Sequence, residues 1–105
     1  IEFRINAEDA QKDFAPRPGS ITEYMPPGGP GVRLDTMIYK GYNIPAYYDS
    51  MIGKLIVFAI DWDGAVRKAE RALDEFVIEG VPTNLTLHRQ IVKDQDFRDA
   101  VFNTG

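Results

Sequence analysis

The sequence predicts an α+β fold, mainly an antiparallel sheet followed by two carboxy-terminal helices. Three observations support this prediction. Apolar and polar residues alternate in several short segments of the first half of the chain. From Ala65 onward the apolar residues recur at intervals of three and four, as they do on one face of a helix. Strands come first and helices last, which favours antiparallel pairing over alternating βαβ units.

The first predicted strand covers residues 1–6, where Ile1, Phe3 and Ile5 alternate with polar residues and Arg4 faces the other way. Residues 7–14 are short and polar, and they indicate a turn of helix. Prolines and glycine in residues 16–19 then break regular structure and predict a chain reversal.

Three more strands follow, over residues 20–25, 32–39 and 52–60. The Pro/Gly cluster at 26–31 predicts a loop, and residues 41–45 predict a turn. The segment 52–60 is almost continuously apolar, which is typical of a strand buried on both faces. It is therefore expected at the centre of the sheet.

A helix is predicted from Ala65, with Asp61 or Asp63 as its amino-terminal cap and Gly80 with Pro82 as its end. Its apolar stripe is expected to continue through the phenylalanine and valine at positions 76 and 77.

Thr83 is the expected cap of a second helix, whose apolar positions are Leu87, Ile91 and Val92. Residues 95–102 indicate a further short helical piece. No internal repeat or low-complexity tract occurs in the sequence, so the chain is predicted to form a single domain over residues 1–105.

Composition narrows the classes of function. The 105 residues are 44% hydrophobic, carry a net charge of −4 and contain no cysteine. Such a chain can bury one modest core, has no basic stripe for nucleic acid or anionic lipid, and offers no thiolate. Its longest apolar run, residues 55–60, is about a third of the length that a membrane-spanning helix needs. Because the sequence starts without methionine, directly in a predicted strand, we expect it to be a fragment of a longer chain.

The sequence contains none of the common catalytic motifs. There is one histidine and no cluster with metal-ligand spacing, and the glycines at 28–31 lack the following helix that a phosphate loop requires. His88 is expected to be a surface or edge residue. The adjacent carboxylates of Glu8 and Asp9 are more typical of caps or solvated surface than of an acid/base pair.

Arg4 differs from these residues because it lies on a short strand among polar neighbours. A fixed guanidinium suits the binding of bicarbonate or the stabilisation of an oxyanion. The alternative is an edge-strand arginine that pairs with Glu2 or Glu8.

Four segments of the sequence, taken together, favour the functional interpretation of Arg4. They are residues 1–9 (I-E-F-R-I-N-A-E-D), 27–33 (P-G-G-P-G-V-R), 47–55 (Y-Y-D-S-M-I-G-K-L) and 80–84 (G-V-P-T-N). In this order and spacing the chain resembles the carboxy-terminal domain of biotin carboxylases, over essentially its whole length. One departure is Ala10, where the family usually has proline, and it touches no group with chemistry.

The resemblance implies an ATP-grasp ligase that uses ATP, magnesium and bicarbonate to carboxylate biotin on a carrier protein or domain. Those ligands would bind the amino-terminal and ATP-grasp domains of the same chain, so this domain alone is expected to bind none and to be inactive. A carboxyltransferase subunit or domain and a second copy in a homodimer are the other implied partners, with nucleic acid and membrane excluded. The implied location is cytoplasmic, or mitochondrial for a eukaryotic parent.

The resemblance also implies roles for individual residues. Arg4 matches the arginine at the biotin and bicarbonate site, and Arg33 matches one at the dimer interface. Asp49 matches a position near the active site, where we expect it to support Arg4. Ser50 and Lys54 match the family as well, without an assigned role.

Two rival functions remain open from the sequence. One is a domain of a biotin-independent ATP-grasp ligase, which a test of biotin dependence would distinguish. The other is a non-catalytic dimerisation or interaction module, in which Arg33 would matter more than Arg4. The acceptor of the carboxyl group, whether acetyl-CoA, propionyl-CoA, another acyl-CoA, pyruvate or urea, depends on another domain or subunit.

Overall fold

The computed structural model describes residues 1–9, 15–16, 19–44 and 51–99. In chain order, the elements within these ranges are β1 (Glu2–Asn6), β2 (Glu8–Asp9), β3 (Ala15–Pro16), β4 (Gly19–Ser20), β5 (Glu23–Met25), β6 (Val32–Thr36), β7 (Asn43–Ile44), β8 (Met51–Val57), α1 (Trp62–Glu75), β9 (Val77–Glu79), α2 (Leu85–Lys93) and α3 (Gln95–Arg98). The predicted α+β class, with antiparallel sheets and helices toward the carboxy terminus, is confirmed.

The largest sheet contains three antiparallel strands in the order β1-β8-β6. β8 lies at its centre, as predicted, and its Leu55 and Val57 are buried in the same cluster as Leu73 of α1. On the other face Lys54 and Ile56 are only half-buried. The strand is therefore covered on one face, and the prediction that both faces are buried is wrong because helices cover one side of the sheet only.

Three two-stranded antiparallel ladders accompany this sheet: β2 with β3, β4 with β7, and β5 with β9. The pairing of Glu8–Asp9 with Ala15–Pro16 shows that the segment predicted as a turn of helix begins in extended conformation. Its remainder, residues 10–14, lies outside the described residues. A single helical turn of polar residues has little stability of its own, so a partner strand can replace it.

The strand predicted over residues 20–25 is divided between two ladders. The amide of Ile21 donates to the carbonyl of Tyr42 at 2.9 Å, and the amide of Thr22 donates to the carbonyl of Glu79 at 2.8 Å. The chain thus passes from β4 into β5 at these two residues. Ile21 is buried at this crossing.

Helix α1 begins three residues earlier than predicted, with Asp61 as its cap. The Asp61 carboxylate accepts a 2.7 Å hydrogen bond from the amide of Gly64. The helix ends at Glu75, before the predicted end, because Phe76 is extended and leads into β9, which pairs with β5. Phe76 is still buried in the core. Its apolar character was compatible with helix and strand alike, and the pairing decided between them.

The cap of α2 is Asn84, one residue after the predicted Thr83. The Thr83 hydroxyl nevertheless accepts a 3.4 Å hydrogen bond from the amide of Leu85. The side chain of Asn84 makes no capping hydrogen bond to α2. It is directed elsewhere, as described below.

The buried face of α2 differs from the predicted one. Val92 is buried as expected, but Leu87 and Ile91 are each 37% exposed, and Leu85 is buried in addition. Leu85 and Val92 belong to the core cluster together with residues of α1, the helix against which α2 packs.

Helix α3 is short and is attached to α1. The indole of Trp62 donates hydrogen bonds to the carbonyls of Phe97 at 3.1 Å and Arg98 at 3.0 Å. Arg98 also forms an ion pair with Glu70 of α1. The predicted helical piece at 95–102 is confirmed as far as Arg98, and residues 100–102 lie outside the described residues.

The core is a cluster of buried apolar side chains between the inner face of the sheet and the helices. It includes Phe3, Ile5, Leu55, Val57, Ala69, Leu73, Leu85 and Val92. The outward face of the sheet carries none of these side chains. Among the described residues, no helix is both long and apolar enough to cross a membrane.

Candidate functional site

Arg4 lies on the outward face of the central sheet. Its neighbours Phe3 and Ile5 are buried in the core, so the alternation of β1 turns Arg4 outward, where it is exposed. Lys54 of β8 stands directly across from it, and Asp35 of β6 stands across from Lys54. A row of charged side chains therefore crosses all three strands on this face.

The Arg4 guanidinium has no carboxylate partner in the part of the chain that the structure describes. The alternative prediction, in which Arg4 forms an ion pair with Glu2 or Glu8, is therefore wrong. Glu8 instead accepts a 3.5 Å hydrogen bond from the Asn6 side chain. Lys54 likewise has no ion pair among the described contacts. Arg4 and Lys54 are thus neighbouring cations on one face that form no ion pair, although Asp35 stands across from Lys54, and their positive potential favours the approach of an anion.

The backbone of Arg4, in contrast to its side chain, is firmly held by Asn84. The Asn84 amide nitrogen Nδ2 donates to the carbonyl of Arg4 at 2.9 Å, and its Oδ1 accepts from the backbone amide of Asn6 at 2.9 Å. The backbone amide of Asn84 donates to the Asn6 carbonyl at 3.2 Å. Asn84 is buried, with 6% of its surface exposed, and its side chain is satisfied by this strand.

His88, one turn after Asn84 on α2, holds the same carbonyl. Its Nε2 lies 2.7 Å from the carbonyl oxygen of Arg4. A carbonyl oxygen can only accept, so Nε2 donates to it when this nitrogen carries the proton; in the other tautomer Nε2 accepts from Nδ2 of Asn84, which lies 3.1 Å away. The imidazole packs edge-on against Phe3, with ring centroids 5.1 Å apart. His88 is half-buried and bonds to the edge of β1, in agreement with the expectation of a surface or edge residue.

Asn84 and His88 are the two residues that sequence reasoning missed as parts of this site. The sequence marks Asn84 only as the last residue of a family-like segment, and it gives His88 no role. Their spacing of four, on one face of a predicted helix, is the available signal. Nothing in the local sequence indicates that this face meets β1.

Arg33 lies on the same outward face, on β6. Its side chain is 63% exposed, and its Nε donates a 2.9 Å hydrogen bond to Asp35. This hydrogen bond, together with the negative charge of Asp35, raises the pKa of the Arg33 guanidinium above its ordinary value. The pair lies in solvent, so it contributes little to stability. An exposed guanidinium beside a carboxylate is well suited to contact a partner surface.

Comparison with known proteins decides the family. The family model of the biotin carboxylase C-terminal domain matches residues 2–105. The chain belongs to the biotin carboxylase C-terminal domain family.

Individual relatives agree with this assignment. Biotin carboxylase 1 of Bacillus subtilis is 50% identical over 104 residues, which cover 99% of this chain and 23% of that protein. A pyruvate carboxylase subunit of Methanothermobacter thermautotrophicus is 49% identical over 104 residues, which cover 99% of this chain and 21% of that protein. The chain thus spans less than a quarter of these relatives.

A solved structure confirms the fold. The biotin carboxylase domain dimer of Hydrogenobacter thermophilus 2-oxoglutarate carboxylase, crystallised with MgADP, ADP and bicarbonate, superposes with a TM-score of 0.93. It is 50% identical in sequence, and the match covers 98% of this chain and 23% of that one.

Three of the four family-like segments of this biotin carboxylase C-terminal domain meet at β1. Residues 1–9 contact residues 80–84 through Asn84, and they pair with residues 51–55 in the ladder of β1 with β8. Val32 and Arg33, at the end of the segment 27–33, pair with Val57 and Ile56, just beyond the segment 47–55. Arg4 and Arg33 share one sheet face, with β8 between them. Asp49 and Ser50 lie outside the described residues, so the support of Arg4 by Asp49 stays a prediction.

Among the described residues, no group of three or more histidine or carboxylate side chains lies close enough to hold a metal ion. We therefore assign no metal ligand to these residues.

Proposed function

We propose that this domain supplies Arg4 to the biotin site of a longer, ATP-dependent biotin carboxylase, of which it forms the carboxy-terminal part over residues 1–105. One observation carries the proposal. The Arg4 guanidinium is exposed and without a carboxylate partner among the described residues, while its backbone carbonyl accepts hydrogen bonds from two side chains. A cation placed in this way is preorganised for a negative charge.

The reaction class follows from that cation and the family. Carboxylation of biotin on a carrier leaves negative charge on the ureido oxygen when the ureido nitrogen is deprotonated. A guanidinium beside that oxygen lowers the barrier, because it stabilises charge that develops in the reaction. Lys54, across the strand from Arg4, adds to the positive potential. ATP and magnesium, bound by the ATP-grasp region, would supply the activated bicarbonate.

The partners follow from the same proposal. We propose a homodimer in which Arg33 contacts the second copy, a biotin carrier protein or domain that delivers biotin to Arg4, and a carboxyltransferase that uses the product. Asp49 would support Arg4 from its own segment. A cytoplasmic location is proposed for a bacterial or archaeal parent and a mitochondrial one for a eukaryotic parent.

The test is bicarbonate-dependent ADP release by the full-length carboxylase, with and without free biotin, for wild type and Arg4→Ala. We expect biotin to stimulate the wild type, and Arg4→Ala to lose that stimulation by roughly 100- to 1,000-fold, in the range seen when one stabilising donor is removed. Arg67→Ala is the matched control, because Arg67 is an exposed arginine on α1, away from this face.

Each rival function has its own outcome in this assay. An active wild type that ignores biotin would point to a biotin-independent ligase. If biotin stimulates wild type and Arg4→Ala equally, Arg4 has no part in the reaction and the domain is mainly structural. Equal losses in Arg4→Ala and Arg67→Ala would mean that any removed surface charge has the same effect.

A further inference from the structure

The free edge of β1 determines how Arg4 is held. Ile1 exchanges backbone hydrogen bonds with Val57, so alternate residues from Ile1 direct their backbone groups toward β8. The backbone groups of Glu2, Arg4 and Asn6 therefore point to the open edge of the sheet. An open edge leaves a row of backbone N–H and C=O groups without partners.

Asn84 hydrogen-bonds to this open edge at Arg4 and Asn6. Its side chain and backbone together make three hydrogen bonds, to the carbonyl of Arg4 and to the amide and carbonyl of Asn6. In doing so it takes the place of a neighbouring strand. The ladder between β1 and β8 shifts register between Ile5 and Asn6, so the backbone is irregular just where Asn84 binds it.

The side chain of Asn84 does not cap α2. Asn84 occupies the cap position of α2, but its side chain makes no capping hydrogen bond there. The hydroxyl of Thr83 accepts from Leu85 instead. An asparagine at this position usually accepts a hydrogen bond from the first turn of the helix. The Asn84 side chain instead makes two hydrogen bonds to β1.

His88 contacts the same oxygen and is a second donor to it when Nε2 carries the proton. Its Nε2 and the Nδ2 of Asn84 both approach the carbonyl of Arg4, at 2.7 and 2.9 Å. The two donors lie four residues apart on one helix face. These contacts connect the start of α2 to the backbone of Arg4.

We infer that Asn84, assisted by His88, is a positioning residue that sets the placement of the Arg4 guanidinium for the reaction with biotin. The inference rests on the proposed function of Arg4. It predicts that loss of Asn84 lets β1 shift at Arg4 and lowers the biotin-stimulated rate by roughly 10- to 100-fold, as expected for a displacement of about 1 Å.

The experiment is a double-mutant cycle in the full-length carboxylase with wild type, Arg4→Ala, Asn84→Ala and the double variant, measuring kcat and KM for free biotin. If Asn84 acts through Arg4, the double variant is no slower than Arg4→Ala alone. Gln90→Ala, at an exposed position of α2, is the control and should match wild type. A double variant slower than Arg4→Ala by the full effect of Asn84→Ala would overturn the inference.

Substitution of His88 keeps the inference testable if Asn84→Ala does not fold. We expect His88→Leu to lower kcat with biotin several-fold, and His88→Gln, which keeps a donor within reach of the Arg4 carbonyl, to restore it. Equal kcat for these two variants and wild type would count against the inference. An Arg4→Ala variant with normal biotin stimulation would instead overturn the proposed function itself, whereas a defective Arg4→Ala beside normal Asn84 and His88 variants would overturn only the positioning role.

Discussion

Arg89 of α2 donates a 2.7 Å hydrogen bond from Nη2 to the backbone carbonyl of Phe76, the residue that follows the last residue of α1. Its Nε donates a second one, of 2.9 Å, to the carbonyl of Leu73. The last turn of α1 contains no basic residue of its own. The neighbouring helix therefore supplies the positive charge and the donors that the carbonyl end of a helix requires.

Replacing Arg89 should destabilise the fold through these two carbonyls. We expect Arg89→Met to lower the free energy of unfolding by about 1.5–3 kcal/mol, because hydrogen bonds to a charged group are lost and partly buried carbonyls remain unpaired. Arg89→Lys should recover only part of this, since an ammonium lacks the planar fork. Urea unfolding measures both. Arg67→Met is the control for removal of an exposed arginine, and a similar loss there would argue against the carbonyl contacts.

Leu55 should be among the most costly positions of the core to truncate. It is fully buried at the centre of the three-stranded sheet. Leu55→Ala should lower the free energy of unfolding by about 2–5 kcal/mol through lost apolar burial and a residual cavity. Ile60→Ala removes a fully exposed aliphatic side chain and should change it by less than about 0.5 kcal/mol. Comparable losses from both variants would contradict the assignment of the core.

Gly80 is required by the turn between β9 and α2. Its φ is +107°, and an added Cβ would overlap the carbonyl oxygen of Ser20 and the amide of Thr22. Gly80→Ala should therefore lower the midpoint of thermal unfolding, with a loss of about 1–3 kcal/mol or more. Gly28→Ala, where an added Cβ meets no atom within 4 Å, should be nearly neutral. If Gly80→Ala unfolds like Gly28→Ala, the turn is not constrained as described.

Arg33 should affect association and leave the fold intact. Its ion pair with Asp35 is exposed on both sides, so Arg33→Glu should change the unfolding free energy of the chain by less than about 1 kcal/mol. In the full-length carboxylase the same change should shift the equilibrium from dimer toward monomer, because the guanidinium proposed to contact the second copy is replaced by a group of opposite charge. Sedimentation velocity measures this shift. Arg67→Glu carries the same charge change on α1, and a dimer equally weakened by it would remove Arg33 from the interface.

The periodicity of apolar residues correctly predicted the elements that bury a single face. Alternation at Phe3 and Ile5 indicated β1, and the spacing of Ala69 and Leu73 indicated α1, because a single covered face produces a regular pattern. The pattern failed where an apolar residue suited two structures. Phe76 fitted the helical stripe, yet it is buried at the start of an extended segment. Leu87 and Ile91 fitted a buried stripe that the docking of α2 left partly exposed.

What the sequence by itself determined is the class of the fold, the family and the outward direction of Arg4, because alternation and motif spacing are properties of neighbouring residues. Only the tertiary structure decided what holds Arg4. Asn84 and His88 are separated from it by 80 and 84 residues along the chain. A hydrogen bond over that separation depends on how α2 packs under the edge of β1, and no local pattern contains that information.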